Sequence, residues 1–130
     1  FGGELSGHFY FEQNFYADSA AIMLMHTLNV IDQKNKPVSE LIKPLRRYHS
    51  SGEVNFKVDN KEVRMEELAR RYGDGKVDHL DGVTVDFKDW WFNCRPSNTE
   101  PLLRLNVEAK TKELLNEKLK EIEQQLGTPE

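Results

Sequence analysis

Apolar positions along the chain change their period near its middle. Between residues 19 and 31 they fall at almost every step, from Ala20-Ala21-Ile22-Met23-Leu24-Met25 to Leu28, Val30 and Ile31. That density predicts a helix from Ser19 to about Ile31 with Asp18 as N-cap. A helix apolar all round calls for burial on more than one side. Asp32 to Pro37 reads as a polar linker. Ser39 is placed to cap a short helix that holds Leu41, Ile42 and Leu45 and is disturbed by Pro44. From Gly52 the period becomes two: Val54, Phe56 and Val58 alternate with polar partners, as in a half-buried strand. Asp59-Asn60 turns the chain, and Met65, Leu68, Ala69 and Tyr72 mark a helix stopped by Gly73. Val77 starts a short strand, Asp81-Gly82 is a hairpin signal, and Val83, Val85 and Phe87 alternate again. Trp90 to Cys94 and Leu102 to Ala109 read as strands. Trp90, Trp91 and Phe92 are core or loop-packing aromatics. Leu103, Leu105, Val107 and Ala109 share one face, and Arg104, Asn106 and Glu108 the other. Leu115, Leu119, Ile122 and Leu126 form the stripe of a closing helix ended by Gly127. The order β-α-β-β-β-α predicts an α+β fold, with two helices on one face of a mainly antiparallel sheet.

Two stretches interrupt this pattern with chemistry. Arg95-Pro96-Ser97-Asn98-Thr99-Glu100-Pro101 joins the last two strands. Its guanidinium can grip two oxygens of a phosphate through a planar fork. Ser97, Asn98 and Thr99 add short donors, and turn backbone between prolines can aim N–H groups into an anion-holding concavity. On residue types alone an ordinary polar connection with two prolines is the reading favoured over it. The second stretch, Gly2-Gly3-Glu4-Leu5-Ser6-Gly7-His8, opens the chain. In extended geometry Glu4, Ser6 and His8 point to one side, a set suited to a polyol; a glycine-rich turn with incidental polar residues is the alternative.

Composition narrows the classes. At 130 residues with a formal net charge of −4, the chain does not read as a nucleic-acid or membrane-surface binder. The lone Cys94 cannot form an internal disulfide and fits a reducing, cytoplasmic setting. No leader pattern and no apolar run of membrane-spanning length is present. The opening Phe1-Gly2-Gly3-Glu4 falls mid-motif without an initiator Met, which leads us to expect a fragment. The four histidines and Cys94 show no zinc-ligand spacing. There is no nucleophile elbow, dinucleotide fingerprint or P-loop. His26 reads as a core or rim histidine. The Lys/Glu alternation of residues 110–123 reads as a solvated helix face.

Taken together and in this order, the two stretches resemble the α-D-phosphohexomutases. Gly3-Glu4-Leu5-Ser6-Gly7-His8 is similar to their sugar-recognition loop, and Arg95 to Pro101 to their phosphate-binding loop. Ser51-Gly52-Glu53-Val54-Asn55-Phe56, Asp81-Gly82-Val83 and Leu102 to Ala109 resemble the bacterial phosphomannomutase/phosphoglucomutase branch. Asn98 stands where phosphoglucosamine mutases usually carry glycine.

The resemblance implies a four-domain enzyme. Residues 1–44 would be the helical tail of its third, α/β domain, and residues 45–130 its fourth, with a fold similar to the TATA-binding-protein class. It implies exchange of phosphate between the 1- and 6-positions of a hexose through a phosphoserine and a bisphosphate intermediate. Its ligands would be mannose or glucose 1- or 6-phosphate and hexose 1,6-bisphosphate. It assigns distal-phosphate binding to Arg95, Ser97, Asn98 and Thr99, and sugar hydroxyls 3 and 4 to Glu4 and Ser6. His8 is a third contact, and Gly7 and Arg104 are further candidates. An unread 2-hydroxyl would explain tolerance of both sugars. The family's phosphoserine loop and its Asp-rich magnesium loop have no counterpart in this sequence. The chain by itself is therefore expected to bind rather than catalyse, with Mg2+ and the remaining domains belonging to the parent enzyme. A stand-alone phosphosugar-binding or regulatory module is the competing expectation. A nucleic-acid binder is a third, disfavoured by the acidic charge.

Overall fold

The computed structural model describes residues 1–4 and 6–130 and divides the chain into two compact units, residues 1–46 and 47–130. Leu5, within the first motif, lies outside the described residues.

In the first unit, β1 (Gly2–Gly3) and β2 (Phe9–Tyr10) pair antiparallel, with Gly2 opposite Tyr10 and Gly3 opposite Phe9. Asp18 does not cap the following helix. Its Oδ1 accepts from the Phe9 N–H at 2.8 Å, while Ser19 caps α1 (Ala20–Lys34) by accepting from the Ile22 N–H at 3.3 Å. Asp18 is drawn to the unpaired amide of β2, and the next hydroxyl takes the cap. The helix runs three residues beyond the expected end and stops at Asn35, whose left-handed φ of 45° suits an Asn C-cap. Pro37, with its fixed φ, precedes α2 (Val38–Ile42); Ser39 lies inside that helix and does not cap it. A 3-10 turn over Lys43–Leu45 accommodates Pro44. The expected burial of α1 on several sides is absent among the described residues. None of its side chains is buried, and Leu24, Met25, Leu28 and Val30 are about half exposed. His26 is a rim histidine, stacked on Phe11 with ring centroids 5.2 Å apart.

The second unit contains β3 (His49–Lys57), α3 (Lys61–Arg71), β4 (Lys76–Asp78), β5 (Val83–Asp86), β6 (Trp90–Pro96), β7 (Leu102–Ala109) and α4 (Lys112–Leu126). Four strands, not three, separate its helices, because the short Lys76–Asp78 segment pairs fully with β5. The sheet order is β3-β7-β6-β5-β4, antiparallel throughout. Both helices lie on one face, α3 against β5 and β6 and α4 against β7 and β3. The α+β reading holds. Alternate residues of the strands (Phe56, Val85, Phe92, Leu103, Leu105, Val107) meet Leu68, Tyr72 and Ile122 of the helices in one core. Trp90 joins that core and stacks on Phe87 at 4.6 Å, whereas Trp91 faces the helix-free side and donates to Glu108 Oε2. Asn60, expected only as a turn residue, caps α3 by accepting from Val63 N–H, and Thr111 caps α4 by accepting from Leu114 N–H.

Two irregularities set up the site. Between Ser50 and Glu53 the β3–β7 register shifts by one residue, with Gly52 at φ 67°. A bulge turns every later side chain to the opposite face. Ser50 lies opposite Glu108 and Glu53 opposite Asn106, so the extra residue sends Glu53 to the helix-free face. At Gly82, φ is 69°, and a Cβ would collide with the Cys94 carbonyl oxygen and with Arg95 Cα. The turn before β5 therefore packs directly on the backbone that carries Arg95.

Phe92 is fully buried in the core, edge-on to Tyr72 with ring centroids 5.2 Å apart. Phe92→Ala is expected to lower unfolding stability by about 3–5 kcal/mol, read from the urea midpoint at constant m-value.

Candidate functional site

Glu4, Ser6 and His8 converge, but not through the extended geometry expected from their alternation. The Glu4 N–H donates to the His8 carbonyl and the Gly7 N–H to the Glu4 carbonyl, both at 3.0 Å, closing a turn between β1 and β2. Gly7 holds φ 84°, the left-handed conformation that favours glycine. Ser6 Oγ donates to Glu4 Oε2 at 3.0 Å and lies 2.7 Å from His8 Nδ1. With the serine proton committed to Glu4, the matching imidazole tautomer donates from Nδ1 and leaves Nε2 as an outward acceptor. Tyr10 completes the set, its hydroxyl donating to Glu4 Oε1 at 2.7 Å. That bond, then the one from Ser6, holds the Glu4 carboxyl below the ordinary carboxylate range, and the same Glu4 contact pushes the Tyr10 hydroxyl up. Tyr10 was missed as a site residue, although extending the parity of Glu4, Ser6 and His8 by two positions reaches it. All four side chains lie at the surface.

The loop between β6 and β7 is closed by the Ser97 N–H donating to the Leu102 carbonyl at 2.9 Å. Ser97 is buried, 4% exposed, with its hydroxyl turned inward. Oγ accepts from the Glu100 N–H at 3.3 Å and lies 3.5 Å from Thr99 Oγ1. As the structure stands, Ser97 braces the loop from within. Asn98, Thr99 and Glu100 form its exposed tip. Among the described residues the backbone N–H groups of Asn98 and Thr99 have no protein acceptor. Arg95 and Arg104 are directly opposite on the ladder. Glu53, brought to this face by the bulge, reaches both: Arg95 Nη2 is 3.5 Å from Oε2 and Arg104 Nε 3.6 Å from Oε1. Arg104 Nη2 is also 3.6 Å from Glu100 Oε2. These separations are within ion-pair reach but too long for strong hydrogen bonds. Arg95 remains about one-third exposed, so its fork is accessible. A further cation, Lys61, comes from the first turn of α3, its Nζ donating to the Ser97 carbonyl at 3.3 Å. Nothing in the local sequence pattern singles out Lys61; only the packing of α3 beside β6 does.

The arrangement offers three cations, one of them an accessible guanidinium, and two amides without a protein acceptor around a closed loop, a set that complements an oxyanion. Residues 53–125 match the family model described as phosphoglucomutase/phosphomannomutase, C-terminal domain. The chain belongs to the phosphoglucomutase/phosphomannomutase family. Residues 1–48 match the model for its alpha/beta/alpha domain III. A phosphomannomutase of Methanocaldococcus jannaschii is 46% identical over 122 residues, which cover 94% of this chain and 27% of the relative. A protein of Xanthomonas campestris described as phosphohexose mutases is 41% identical over 113 residues, 85% of this chain and 25% of the relative. Among solved structures, a phosphoglucomutase/phosphomannomutase family protein from Burkholderia thailandensis superposes with a TM-score of 0.72. It shares 26% identity and is matched over 95% of this chain and 27% of its own. The chain thus spans about a quarter of the length of these family members. Among the described residues no helix is long and apolar enough to cross a membrane.

The lowered Glu4 carboxyl has a sign. A group that binds its proton less readily in the folded hairpin than in the unfolded chain adds stability above the ordinary carboxylate range. That stability is lost as pH falls through the depressed value. Tyr10→Phe removes the leading cause, so the Glu4 carboxyl is expected to titrate at higher pH than in the wild type. A side-chain 13C titration checks this; an unmoved Glu4 curve would show that the bond from Tyr10 is not made.

Proposed function

We propose that this chain supplies substrate-gripping parts of a phosphohexomutase that interconverts hexose 1-phosphate and 6-phosphate, with mannose and glucose as the sugars. The observation that carries the reading is the closed 97–101 loop, with its uncommitted amides and the accessible Arg95 fork. In such a reaction a phosphoryl group moves at one end of the sugar while the other end must be held. Binding energy at the non-reacting phosphate then positions the reacting oxygen. Arg95 is the principal ligand of that phosphate, Asn98 and Thr99 offer donors at the loop tip, and Arg104 adds charge behind them. Ser97 braces the loop by accepting from the Glu100 N–H, a bond that leaves its own hydroxyl proton to donate.

The Glu4–Ser6–His8 turn is the proposed hydroxyl-binding element. A carboxylate accepting from a sugar hydroxyl and an imidazole accepting at Nε2 suit a vicinal diol, with Gly7 giving the turn its shape. Among the described residues no group of three or more His, Cys, Asp or Glu side chains could hold a metal ion. Magnesium, the phosphoserine and a cytoplasmic setting are proposed for the whole protein. The competing module that binds phosphosugar without catalysis would show the same loop chemistry, and mutase assay of the whole protein separates the two.

The test is a 15N amide titration. Glucose 6-phosphate is expected to shift residues 95–99, and unphosphorylated glucose to leave them in place. Arg95→Ala should cost about 1.5–3 kcal/mol of phosphate affinity, the size of a charged hydrogen bond. Equal binding by that variant removes Arg95 from the site.

A further inference from the structure

Lys61 breaks a local rule. It occupies the first helical position of α3, immediately after the Asn60 cap, where the partial positive charge of the helix terminus disfavours a cation. Its side chain does not extend to solvent. It is partly buried and reaches across to residue 97, where Nζ donates to the carbonyl oxygen at 3.3 Å. A cation set against the helix dipole and committed to one backbone carbonyl suggests that the carbonyl's orientation matters.

That carbonyl belongs to the Ser97–Asn98 peptide group. In a trans peptide the C=O and the following N–H lie in one plane and point in opposite directions. No cis peptide occurs in the chain among the described residues. Fixing the Ser97 oxygen toward Lys61 therefore aims the Asn98 N–H away from it, at the exposed loop tip, and that N–H has no acceptor among the described residues. The neighbouring restraints hold other groups: Ser97 N–H is tied to Leu102 and Ser97 Oγ to the Glu100 N–H. Neither fixes the 97–98 peptide plane, whose rotation would turn a carbonyl oxygen toward the anion in place of a donor.

We infer that Lys61 is a positioning residue for the phosphate loop: by holding the Ser97 carbonyl it keeps the Asn98 N–H facing the bound phosphate. This deepens the proposed function and rests on its assignment of the 97–101 loop to a phosphate. The ammonium acts through the peptide, and its positive charge adds to the field of Arg95 and Arg104.

The experiment is a 15N amide titration of the chain with inorganic phosphate, comparing wild type with Lys61→Met, Lys61→Arg and Arg95→Ala. In the wild type the Asn98 amide proton should move downfield as it donates to phosphate. Lys61→Met keeps the aliphatic stem but lacks the donor. It should raise the phosphate Kd by at least about fivefold, the scale of one hydrogen bond, and abolish most of the Asn98 shift with the thermal midpoint nearly unchanged. Lys61→Arg, which can still donate to the carbonyl, should restore both. Wild-type affinity together with a wild-type Asn98 shift in Lys61→Met overturns the inference while leaving the phosphate reading intact, provided Arg95→Ala weakens binding. A weakened Lys61→Met that still shows the full Asn98 shift also overturns it, reducing Lys61 to a distant charge. If inorganic phosphate moves no loop amide in the wild type, the phosphate reading and the inference fall together.

Discussion

The candidate phosphate site depends on the register between β6 and β7. Strand side chains alternate faces, so a slip of one residue would turn one of the two strands over, carrying either Arg95 or Arg104 into the core and bringing Cys94 or Leu105 out. Several independent contacts oppose that slip. Cys94, Leu103, Leu105 and Val107 are fully buried on the helix side, and exposing any of them forfeits roughly 1.5–3 kcal/mol of burial. At one end of the ladder the Ser97 N–H closes on the Leu102 carbonyl, and at the other the Lys110 N–H closes on the Asp89 carbonyl, both at 2.9 Å. From the side, the glycine turn at residue 82 sits against the Cys94–Arg95 backbone with no room for a Cβ. The core therefore fixes the pairing, and the pairing fixes where the two guanidinium groups stand.

Two like charges placed directly opposite on a ladder repel. The bulge in β3 resolves this at the cost of one irregular residue, by swinging Glu53 onto the same face between them. The carboxylate contacts each arginine through a different oxygen at ion-pair range without binding either tightly. At about one-third exposure such pairs are screened and individually weak, so neither arginine is tightly committed to the carboxylate. A close bidentate pair would hold Arg95 more firmly and compete harder with a ligand.

Sequence periodicity carried most of the second unit. Alternation in residues 54–58, 83–87, 90–94 and 102–109 and the apolar stripes of the two helices correspond to its long strands and both helices. The single Val77 signal was too short to be counted in the strand order, and only pairing with β5 makes it a strand. The first unit was less legible where side chains compete for the same role. Asp18 and Ser19 are both good caps, and the choice was made by the unpaired Phe9 amide, a contact nine residues away. Alternation suggested an extended Glu4–Ser6–His8 triplet, but Gly7 admits a left-handed turn that brings the same three groups together differently. The donor-rich character of Arg95, Asn98 and Thr99 was legible from their types, although those types alone left an ordinary polar connection open. The inward bracing by Ser97 and the reach of Lys61 were not, because burial and long-range packing decide them.

The two polar loops also differ in what ligand binding must undo. The Glu4 turn is already satisfied, its carboxylate accepting from Ser6 and Tyr10. A sugar hydroxyl binding there replaces a donor the carboxylate already has, so only the difference between two similar bonds is gained. The 97–101 loop keeps its buried hydroxyl for itself and leaves the Asn98 and Thr99 amides without protein acceptors. A dianion there gains bonds to charged or uncommitted donors, each worth about 1.5–3 kcal/mol where a charge is involved, and little internal structure has to break. The 97–101 loop therefore has more uncommitted donors to offer an anion than the Glu4 turn has to offer a hydroxyl. That asymmetry follows from which polar groups the folded loops have already used.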